Sequence, residues 1–327
     1  MINGILNIYK EKGWTSHDVV ARLRGIVGQK KIGHTGTLDP EAEGVLPVCL
    51  GRATKVCGML TDKDKTYETV LLLGKTTDTQ DMTGKVLTER PPDDVTEAEA
   101  VDCIRSFIGE YDQLPPMYSA LKVKGRKLCE LAREGKTVER RSRKVFIYDI
   151  RIIEISLPRI RMEVKCSKGT YIRTLCHDIG EKLGVGGCME ALLRNRAGSF
   201  CVKDSLRLAE VEDCVNRGNL SQLLLPLDSV FSDLRYLILK DDSVSLGYNG
   251  NPFYWKHVIR LPIGTDTIDS SSDAGTERGN GERFRVYDGA RRFIGVYQYE
   301  AERGRFRPEK MFLDPDELRT GRTEKKG

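Results

Sequence analysis

The 327-residue chain has 31% charged and 39% hydrophobic residues and a formal net charge of only +5, a balance typical of a globular protein. No window is apolar over the length needed to cross a bilayer, and the first residues lack the apolar run of a secretory signal, so we expect a cytoplasmic protein. The nine cysteines include no CxxC pair, which argues against a disulfide framework and against a zinc site.

In the first half of the chain, apolar periodicity and turn residues predict a few regular elements. A helix is predicted over about 17–27, with Thr15 or Ser16 as its cap, because apolar residues recur there every three to four positions. Residues 67–74 are predicted to be a buried strand. Residues 96–99 form a capping-box pattern ahead of a further helix.

In the middle of the chain, the pattern predicts a strand pair followed by a helix. Residues 145–157 and 160–166 are predicted to be strands, the second with clean alternation of apolar and charged positions, and they are expected to pair across a turn. An amphipathic helix is predicted from about 170, with Arg173 in its first turn. Strands mixed with helices in this way indicate an α+β domain that extends to about residue 232.

Beyond residue 232 the pattern changes to short strands separated by turns, which predicts a small β-rich module. The predicted strand segments are 246–253, 282–300 and 304–313. Residues 263–282 are poor in apolar side chains and are expected to form a mobile loop, and 318–327 a flexible tail.

Positive charge is concentrated in residues 117–144, the basic segment, which holds ten Lys or Arg against three Glu. A segment of this kind is either a salt-bridged surface or an arm whose cations face a polyanion. Because three acids cannot pair with ten bases, the second interpretation is favoured, with nucleic acid as the polyanion.

The stretch GHTGTLDPEAEGVLPV, residues 33–48, contains an aspartate followed by proline among three glycines. It is too glycine-rich for a helix interior and too polar for a core strand, so we interpret it as a shaped loop that leads into an apolar run. From the residues alone, the chain is a basic RNA- or DNA-binding protein with an aspartate in such a loop.

Four blocks, in order, resemble the signatures of the TruB-type tRNA pseudouridine synthases: GHTGTLDPEAEGVLPVCLGRATK, DKTYE, PPMYSALKVKGRKLCELAREG and CSKGTYIRTLCHDIG. The resemblance spans about residues 3–230. It implies an α+β catalytic domain with a mixed and antiparallel sheet at 1–232, including the basic segment. The C-terminal module resembles, more loosely, a PUA-like RNA-binding domain at 233–317.

The resemblance also implies an activity. The family isomerises the T-loop uridine, position 55 of tRNA, by flipping the base out, breaking the bond between uracil N1 and ribose C1′, and joining C5 to C1′. This chemistry needs no redox cofactor and no metal. The implied partner is the T-arm of tRNA, with no membrane and no obligatory protein partner, and we expect a monomer.

By position in these blocks, the implied catalytic residues are Asp39, Tyr67 and Arg173. A fixed carboxylate can stabilise or attack the positive charge that develops at C1′. The sequence does not determine whether Asp39 attacks C1′, attacks C6 of uracil or removes the 2′ proton. All three routes need an ionised carboxylate. Arg173 is expected to hold Asp39 charged and aimed, and Tyr67 to stack on the target uracil.

Other positions are implied to shape the pocket and to bind RNA. His34 is expected to stack in the space that the flipped uridine leaves. Tyr171 is either a wall of the site or a core ring. Leu193 aligns with the apolar pocket floor, with the adjacent Leu192 as the alternative. Ser119 with Lys122 should shape the base of the basic segment, whose candidate phosphate contacts are Lys122, Lys124, Arg126, Lys127, Arg140, Arg141, Arg143 and Lys144.

Three other functions compete with this one. An RNA chaperone without chemistry would have no physical reason to keep Asp39, Tyr67 and Arg173 together. A related synthase that acts on ribosomal or other RNA with guide and accessory proteins is less favoured, because the chain carries its own basic segment. A nucleoside glycosidase that uses Asp39 would need a second carboxylate with a defined role, although Glu41 and Glu43 lie close in sequence.

Overall fold

The computed structural model describes residues 1–123, 125–259 and 279–313. Lys124, most of the predicted 263–282 loop and the predicted 318–327 tail lie outside these residues. The chain divides into two compact units, Met1–Leu224 and Leu225–Gly327. The domain bounds expected from sequence, 1–232 and 233–317, stay a prediction. None of the helices in the described ranges is long and apolar enough to span a bilayer.

The first unit contains helices and strands in alternation. Its helices are α1 (Ser16–Val27), α2 (Cys57–Thr61), α3 (Glu97–Arg105), α4 (Leu128–Arg133), α5 (Ile172–Lys182) and α6 (Leu208–Asn216). Its strands are β1 (Gly4–Lys10), β2 (Ile32–His34), β3 (Glu43–Leu50), β4 (Lys65–Leu73), β5 (Lys75–Thr77), β6 (Val86–Glu89), β7 (Gly109–Gln113), β8 (Lys122–Val123), β9 (Arg126–Lys127), β10 (Arg143–Ser156), β11 (Arg159–Cys166), β12 (Gly187–Ala197) and β13 (Phe200–Cys201).

A large mixed sheet forms the centre of this unit, in the order β1-β3-β12-β4-β11-β10-β7, with β2 beside β3 and β13 beside β12. The neighbours β3 and β12 are parallel, and the other pairs along this order are antiparallel. The two strands predicted at 145–157 and 160–166 are β10 and β11, and they pair as expected. The predicted α+β class with a mixed sheet is confirmed.

The predicted helix ends are also confirmed. The Thr15 hydroxyl accepts a hydrogen bond from the Asp18 backbone at 3.1 Å, which satisfies a free N–H at the start of α1. Gly28 ends α1 in the left-handed conformation, with φ of 67°. Thr96 and Glu99 form the reciprocal bonds of a capping box at the start of α3.

Two apolar clusters attach the helices to the sheet. Helices α3 and α5 pack on β4, β10, β11 and β12 through fully buried side chains such as Ile104 and Leu175. Helices α1 and α6 pack against β1 and β3 through Leu23 and Val211. The start of α5, and therefore Arg173, is fixed by this packing.

The second unit contains β14 (Tyr236–Ile238), α7 (Val244–Tyr248), β15 (Phe253–Tyr254), β16 (Arg283–Tyr287), β17 (Phe293–Glu300) and β18 (Arg305–Met311). Its sheet has the order β14-β16-β17-β18-β15 around an aromatic core, so the β-rich module is confirmed. The strand predicted at 246–253 is wrong, because most of that segment is α7 and its turn. Gly247 lets α7 lie against Leu239, and this packing overrides the local strand pattern.

Candidate active site

A cavity of about 810 Å³ opens in the first unit beside the loop of residues 35–42. The sequence-predicted residues that line it are Asp39, Tyr67, Ser119, Lys127, Arg143, Tyr171 and Arg173. The predicted residues that lie away from its lining are His34, Lys122, Arg126, Arg140, Arg141, Lys144 and Leu193. The three residues expected to carry the chemistry thus meet in one cavity, although they are distant in sequence.

The shaped loop is shorter than the stretch 33–48, because β2 includes residues 33–34 and β3 begins at Glu43, while the apolar run expected after the loop lies in β3. Two of the three glycines lie in these strands and serve strand packing. Gly33 pairs with Cys49 across β2 and β3. Gly44, with φ of 103°, lies so close to β12 that a Cβ there would collide with the carbonyl oxygen of Arg194. The true loop, residues 35–42, is therefore short and anchored by strands.

The backbone on each side of Asp39 is held by a buried side chain. The Leu38 amide donates to the Ser16 hydroxyl at 2.9 Å. The Pro40 carbonyl accepts from the ammonium of Lys10 at 3.0 Å, and Lys10 has no exposed surface. Because the residues before and after Asp39 are both fixed, its carboxylate has a defined direction.

Asp39 forms a two-point ion pair with Arg173. Arg173 Nε lies 2.9 Å from Asp39 Oδ2, and Nη2 donates to Oδ1 at 3.3 Å. The guanidinium also donates to the carbonyl oxygens of Thr79 at 2.9 Å and Tyr118 at 2.8 Å. Arg173 is only 5% exposed, so these acceptors fix its plane and, through it, the orientation of the carboxylate.

A second carboxylate, which sequence reasoning missed, lies on the other side of this guanidinium. Asp81 Oδ2 is 3.6 Å from Nη1 of Arg173. Its other oxygen accepts from the hydroxyls of Thr79 at 2.7 Å and Thr83 at 2.6 Å. Gln80, between Thr79 and Asp81, has a left-handed φ of 64°, and this turn directs both neighbours towards Arg173.

The charge state of Asp39 depends on these neighbours. Burial raises the pKa of Asp39 above its ordinary value, and the Arg173 guanidinium opposes that rise. The negative charge of Asp81 raises the pKa further, whereas Lys10 lowers it. The 38% exposure of the Asp39 side chain leaves it accessible to a ligand in the cavity. Arg173 is thus the main group that favours the ionised form of the carboxylate against the effect of burial.

Tyr67 lies on β4, in the middle of the sheet, where it pairs with Val164 of β11 and with Arg194 of β12. It is 9% exposed. Burial raises the pKa of Tyr67, and the positive charge of Arg194 opposes this rise. The phenol is therefore protonated near neutral pH, and its ring borders the cavity that holds Asp39.

The remaining aromatic positions differ in their access to the cavity. His34 is partly buried on β2, with its ring centroid 5.3 Å from that of His17, which does line the cavity. Burial lowers the pKa of His34, which favours a neutral ring. Tyr171 lines the cavity, and the guanidinium carbon of Arg143 lies 4.8 Å from its ring centroid.

The placement of the two leucines on β12 favours Leu192 as the pocket floor. Leu192 lines the cavity and packs on the core cluster of α3 and α5. Leu193 points towards the β3 side, where its Cδ1 lies beside Gly44. Successive side chains of a strand point to opposite faces, so only one of them can face the cavity.

The basic segment folds as the short β8–β9 hairpin followed by α4 and the start of β10. Of its predicted phosphate contacts, Lys122, Arg126, Lys127, Arg141 and Lys144 are exposed, while Arg140 and Arg143 are partly buried. Arg126 pairs with Glu134, and Lys144 pairs with Glu110 at 2.6 Å. Ser119 is buried at its base, and no described residue forms a hydrogen bond with its hydroxyl. Contacts with phosphate stay a prediction.

The geometry supports one kind of chemistry. A carboxylate held by arginine beside an aromatic ring, in a cavity large enough for a nucleotide, can stabilise or attack an electron-deficient sugar carbon.

Comparisons with known proteins agree with this geometry. Residues 24–172 match the family model described as TruB family pseudouridylate synthase (N terminal domain), and residues 173–232 match the model of the tRNA pseudouridylate synthase B C-terminal domain. The chain is 48% identical over 325 residues to the tRNA pseudouridine synthase B of Lachnoclostridium phytofermentans, covering 95% of this chain and 100% of that protein.

A second relative and a solved structure extend the comparison. The tRNA pseudouridine synthase B of Alkaliphilus oremlandii is 47% identical over 272 residues, covering 81% of this chain and 88% of the relative. One chain in the crystal structure of a Cbf5-Nop10-Gar1 complex matches with a TM-score of 0.69 and 26% identity, covering 96% of this chain and 86% of that chain.

Proposed function

The chain belongs to the TruB family and is a tRNA pseudouridine synthase, an isomerase, and we propose that its target is the T-loop uridine at position 55. The observation that carries the proposal is the two-point ion pair of Asp39 and Arg173 in a cavity bordered by Tyr67. The two relatives reported above are tRNA pseudouridine synthases by name and match most of this chain, which supports tRNA over another RNA.

In the proposed reaction, the target nucleotide leaves its loop before chemistry begins. A base inside a folded RNA loop cannot reach a carboxylate in a cavity, so the uridine is extruded and its ring stacks on Tyr67, above Leu192. His34 fills the space that the base leaves, and a neutral ring suits that stacking role because it avoids burying a charge.

The carboxylate of Asp39 then acts on the nucleotide. Breaking the bond between N1 and C1′ makes C1′ electron-deficient, and a negative group fixed beside it lowers that barrier. Attack on C1′, attack on C6 and removal of the 2′ proton all require ionised Asp39. Arg173 favours the ionised form, since it opposes the effect of burial on the pKa of Asp39.

Two regions outside the cavity bind RNA in this proposal. The exposed cations of the basic segment contact phosphates of the T-arm. The PUA-like unit at 233–317 helps to hold the acceptor end. We assign catalysis to residues 1–232, and a monomer suffices, without an obligatory protein partner.

The test is pseudouridine formation in an unmodified tRNA transcript, measured by mass spectrometry with chemical mapping of the modified site. The purified parent and Asp39→Asn are compared without added cofactor or metal. We expect product at one T-loop uridine with the parent and none with the variant. Tight binding without product would favour an RNA chaperone, product elsewhere would refute the T-loop target, and release of free uracil would favour a glycosidase.

A further inference from the structure

Lys65 is a buried cation at the edge of the cavity that no catalytic role yet explains. It lines the cavity and is 6% exposed. Its ammonium donates to the backbone carbonyls of Thr61 at 2.5 Å and Lys63 at 2.6 Å, which are neutral acceptors. Burial lowers the pKa of Lys65 to about 8, and the charge of Arg194 acts in the same direction.

Arg194 is the second such cation. It lines the cavity and is 1% exposed. Its Nε donates to the Val45 carbonyl at 2.7 Å, and Nη2 donates to the Gly36 carbonyl at 3.2 Å. Among the described residues, neither Lys65 nor Arg194 has a carboxylate at ion-pair distance. Arg173, in contrast, lies between two carboxylates.

The two cations and Tyr67 lie on one face of the sheet. Lys65 and Tyr67 are two residues apart on β4, so their side chains point the same way. Arg194 is the direct antiparallel partner of Tyr67 on β12, and such partners share a face. The loop that carries Asp39 packs against this pair, because Gly36 lies close to both cations and its carbonyl accepts from Arg194.

This arrangement of two buried cations lowers the stability of the folded protein. A buried charge without a counterion loses hydration that neutral carbonyls restore only in part, and two like charges repel. Arrangements of this kind become favourable when negative charge appears nearby in a site with little water. The cavity is therefore lined both by the carboxylate of Asp39 and by an uncompensated positive pair, Lys65 and Arg194.

We propose that Lys65 and Arg194, the cationic pair, stabilise the negative charge that uracil acquires when its bond to C1′ breaks. This inference rests on the proposed function. The electron pair of the C1′–N1 bond leaves with uracil, whose charge spreads over N1 and its carbonyl oxygens, while C1′ becomes electron-deficient beside Asp39. When C5 joins C1′, the pair returns to the new bond, C5 loses its proton and N1 gains one. Attack of Asp39 on C6 would also place negative charge on the ring.

The first experiment separates chemistry from binding. The single-turnover rate at saturating enzyme and the Kd for tRNA are measured for the parent, Lys65→Gln and the charge-retaining control Lys65→Arg. We expect Lys65→Gln to lower the rate by about 10- to 100-fold with little change in Kd, and Lys65→Arg to keep most of the rate. Thermal unfolding verifies that each variant is folded, and Lys65→Met replaces Lys65→Gln if that variant unfolds. An unchanged rate in the neutral variant refutes the inference.

The second experiment distinguishes electrostatic stabilisation from a structural role. A tRNA with 5-fluorouridine at the target carries a base whose anion is stabilised by fluorine, so it depends less on the cationic pair. Consumption of the target nucleoside is followed, because fluorine replaces the C5 hydrogen and the final loss of a proton from C5 cannot take place. We expect the ratio of parent to Lys65→Gln rates to shrink with this substrate. An equal ratio with both substrates refutes the inference, whereas a parent that makes no pseudouridine refutes the proposed function itself.

Discussion

The loop of residues 35–42 and the basic segment of residues 117–144 both contribute to the cavity, but the protein holds them in different ways. The loop begins and ends in strands of the central sheet, and buried Ser16 and Lys10 fix its backbone. The basic segment contains a hairpin with only two residues in each strand, followed by a short helix, and most of its cations are exposed.

The difference follows from what each region must do. A carboxylate that acts at one atom of one nucleotide needs a fixed position, because small displacements cost large factors in rate. Phosphates recur along the RNA, so a cation on a loosely held segment can still find one. Changes in the loop and its supports should therefore alter the rate of chemistry, and changes in the basic segment should alter binding.

The largest effect is expected at the centre of the loop. Asp39→Asn keeps shape but removes charge, so the single-turnover rate should fall on the order of 10⁴-fold while Kd for tRNA stays the same. Glu212→Gln, at an exposed carboxylate paired with Arg22, is the matched control and should retain the parent rate. If Asp39→Asn binds tRNA more weakly but reacts at the parent rate, the loop governs binding and not chemistry, which is the reverse of what we expect.

The next effect concerns the support of Arg173. Asp81→Asn removes one of its two carboxylates, so the rate at saturating enzyme should fall by about 10- to 100-fold. The negative charge of Asp81 raises the pKa of Asp39, so its removal lowers that pKa and more Asp39 is ionised at low pH. The acid limb of the pH–rate profile should therefore move to lower pH. A move to higher pH would show that Asp81 does not act on Asp39 through charge.

The basic segment should respond in binding only. Replacing Lys122 and Arg141 together by Gln should weaken tRNA binding by about 10-fold and reduce the slope of log K against log salt by about one to two. Arg151 and Arg159, exposed and ion-paired on β10 and β11, serve as the matched control pair. If the rate at saturating enzyme falls while the salt slope stays constant, the segment takes part in chemistry and the comparison fails.

A smaller effect is expected at alkaline pH. The pKa of Lys65 is lowered from 10.5 to about 8, so its charge is lost as pH rises through 8, and the rate should fall there by up to about 10-fold. The groups that face it are Arg194, Cys166, Asp62 and Asp64. Lys65→Arg should stay charged and keep the rate at higher pH. If the alkaline limb of the pH–rate profile is the same in the parent and in Lys65→Arg, the group that titrates there is another one, such as the uracil ring.

The smallest effect is expected far from both regions. Thr96→Ala removes one half of the capping box of α3 and should lower the free energy of unfolding by about 1 kcal/mol, without changing rate or Kd. Thr96→Ser keeps the hydroxyl and is the control. Urea unfolding gives the comparison, and a loss of activity at unchanged stability would show that α3 contributes to the site in an unexpected way.

Features that depend on local sequence were predictable. The start of α1 at Thr15 and the end at Gly28 follow from capping rules. Strands β10 and β11 follow from their apolar residues, with clean alternation along β11. Asp39, Tyr67 and Arg173 could be chosen only through resemblance to a family, since a lone residue of each type is common. Their meeting in one cavity depends on the sheet order, which no short stretch encodes.

Features that depend on pairing between distant strands were missed. Lys65 and Arg194 come together only because β4 and β12 pair in the sheet. Residue 44 needs to be glycine only because β12 approaches it closely. Asp81 had a visible signal, the polar run TTDTQDMT directly after a buried strand, but its partner is 92 residues away, at Arg173, across the sheet. Apolar periodicity predicts single helices and strands, but it does not predict contacts between residues so far apart in the sequence.

The ion pair between Asp39 and Arg173 joins residues 134 positions apart. During synthesis from the N-terminus, the nascent chain presents Asp39, Tyr67 and the basic segment well before Arg173 and β12 exist. An unfinished chain therefore lacks both the guanidinium that fixes the direction of the Asp39 carboxylate and the strand that supplies Arg194. The cavity and its charged groups are complete only after α5 and β12 have been made.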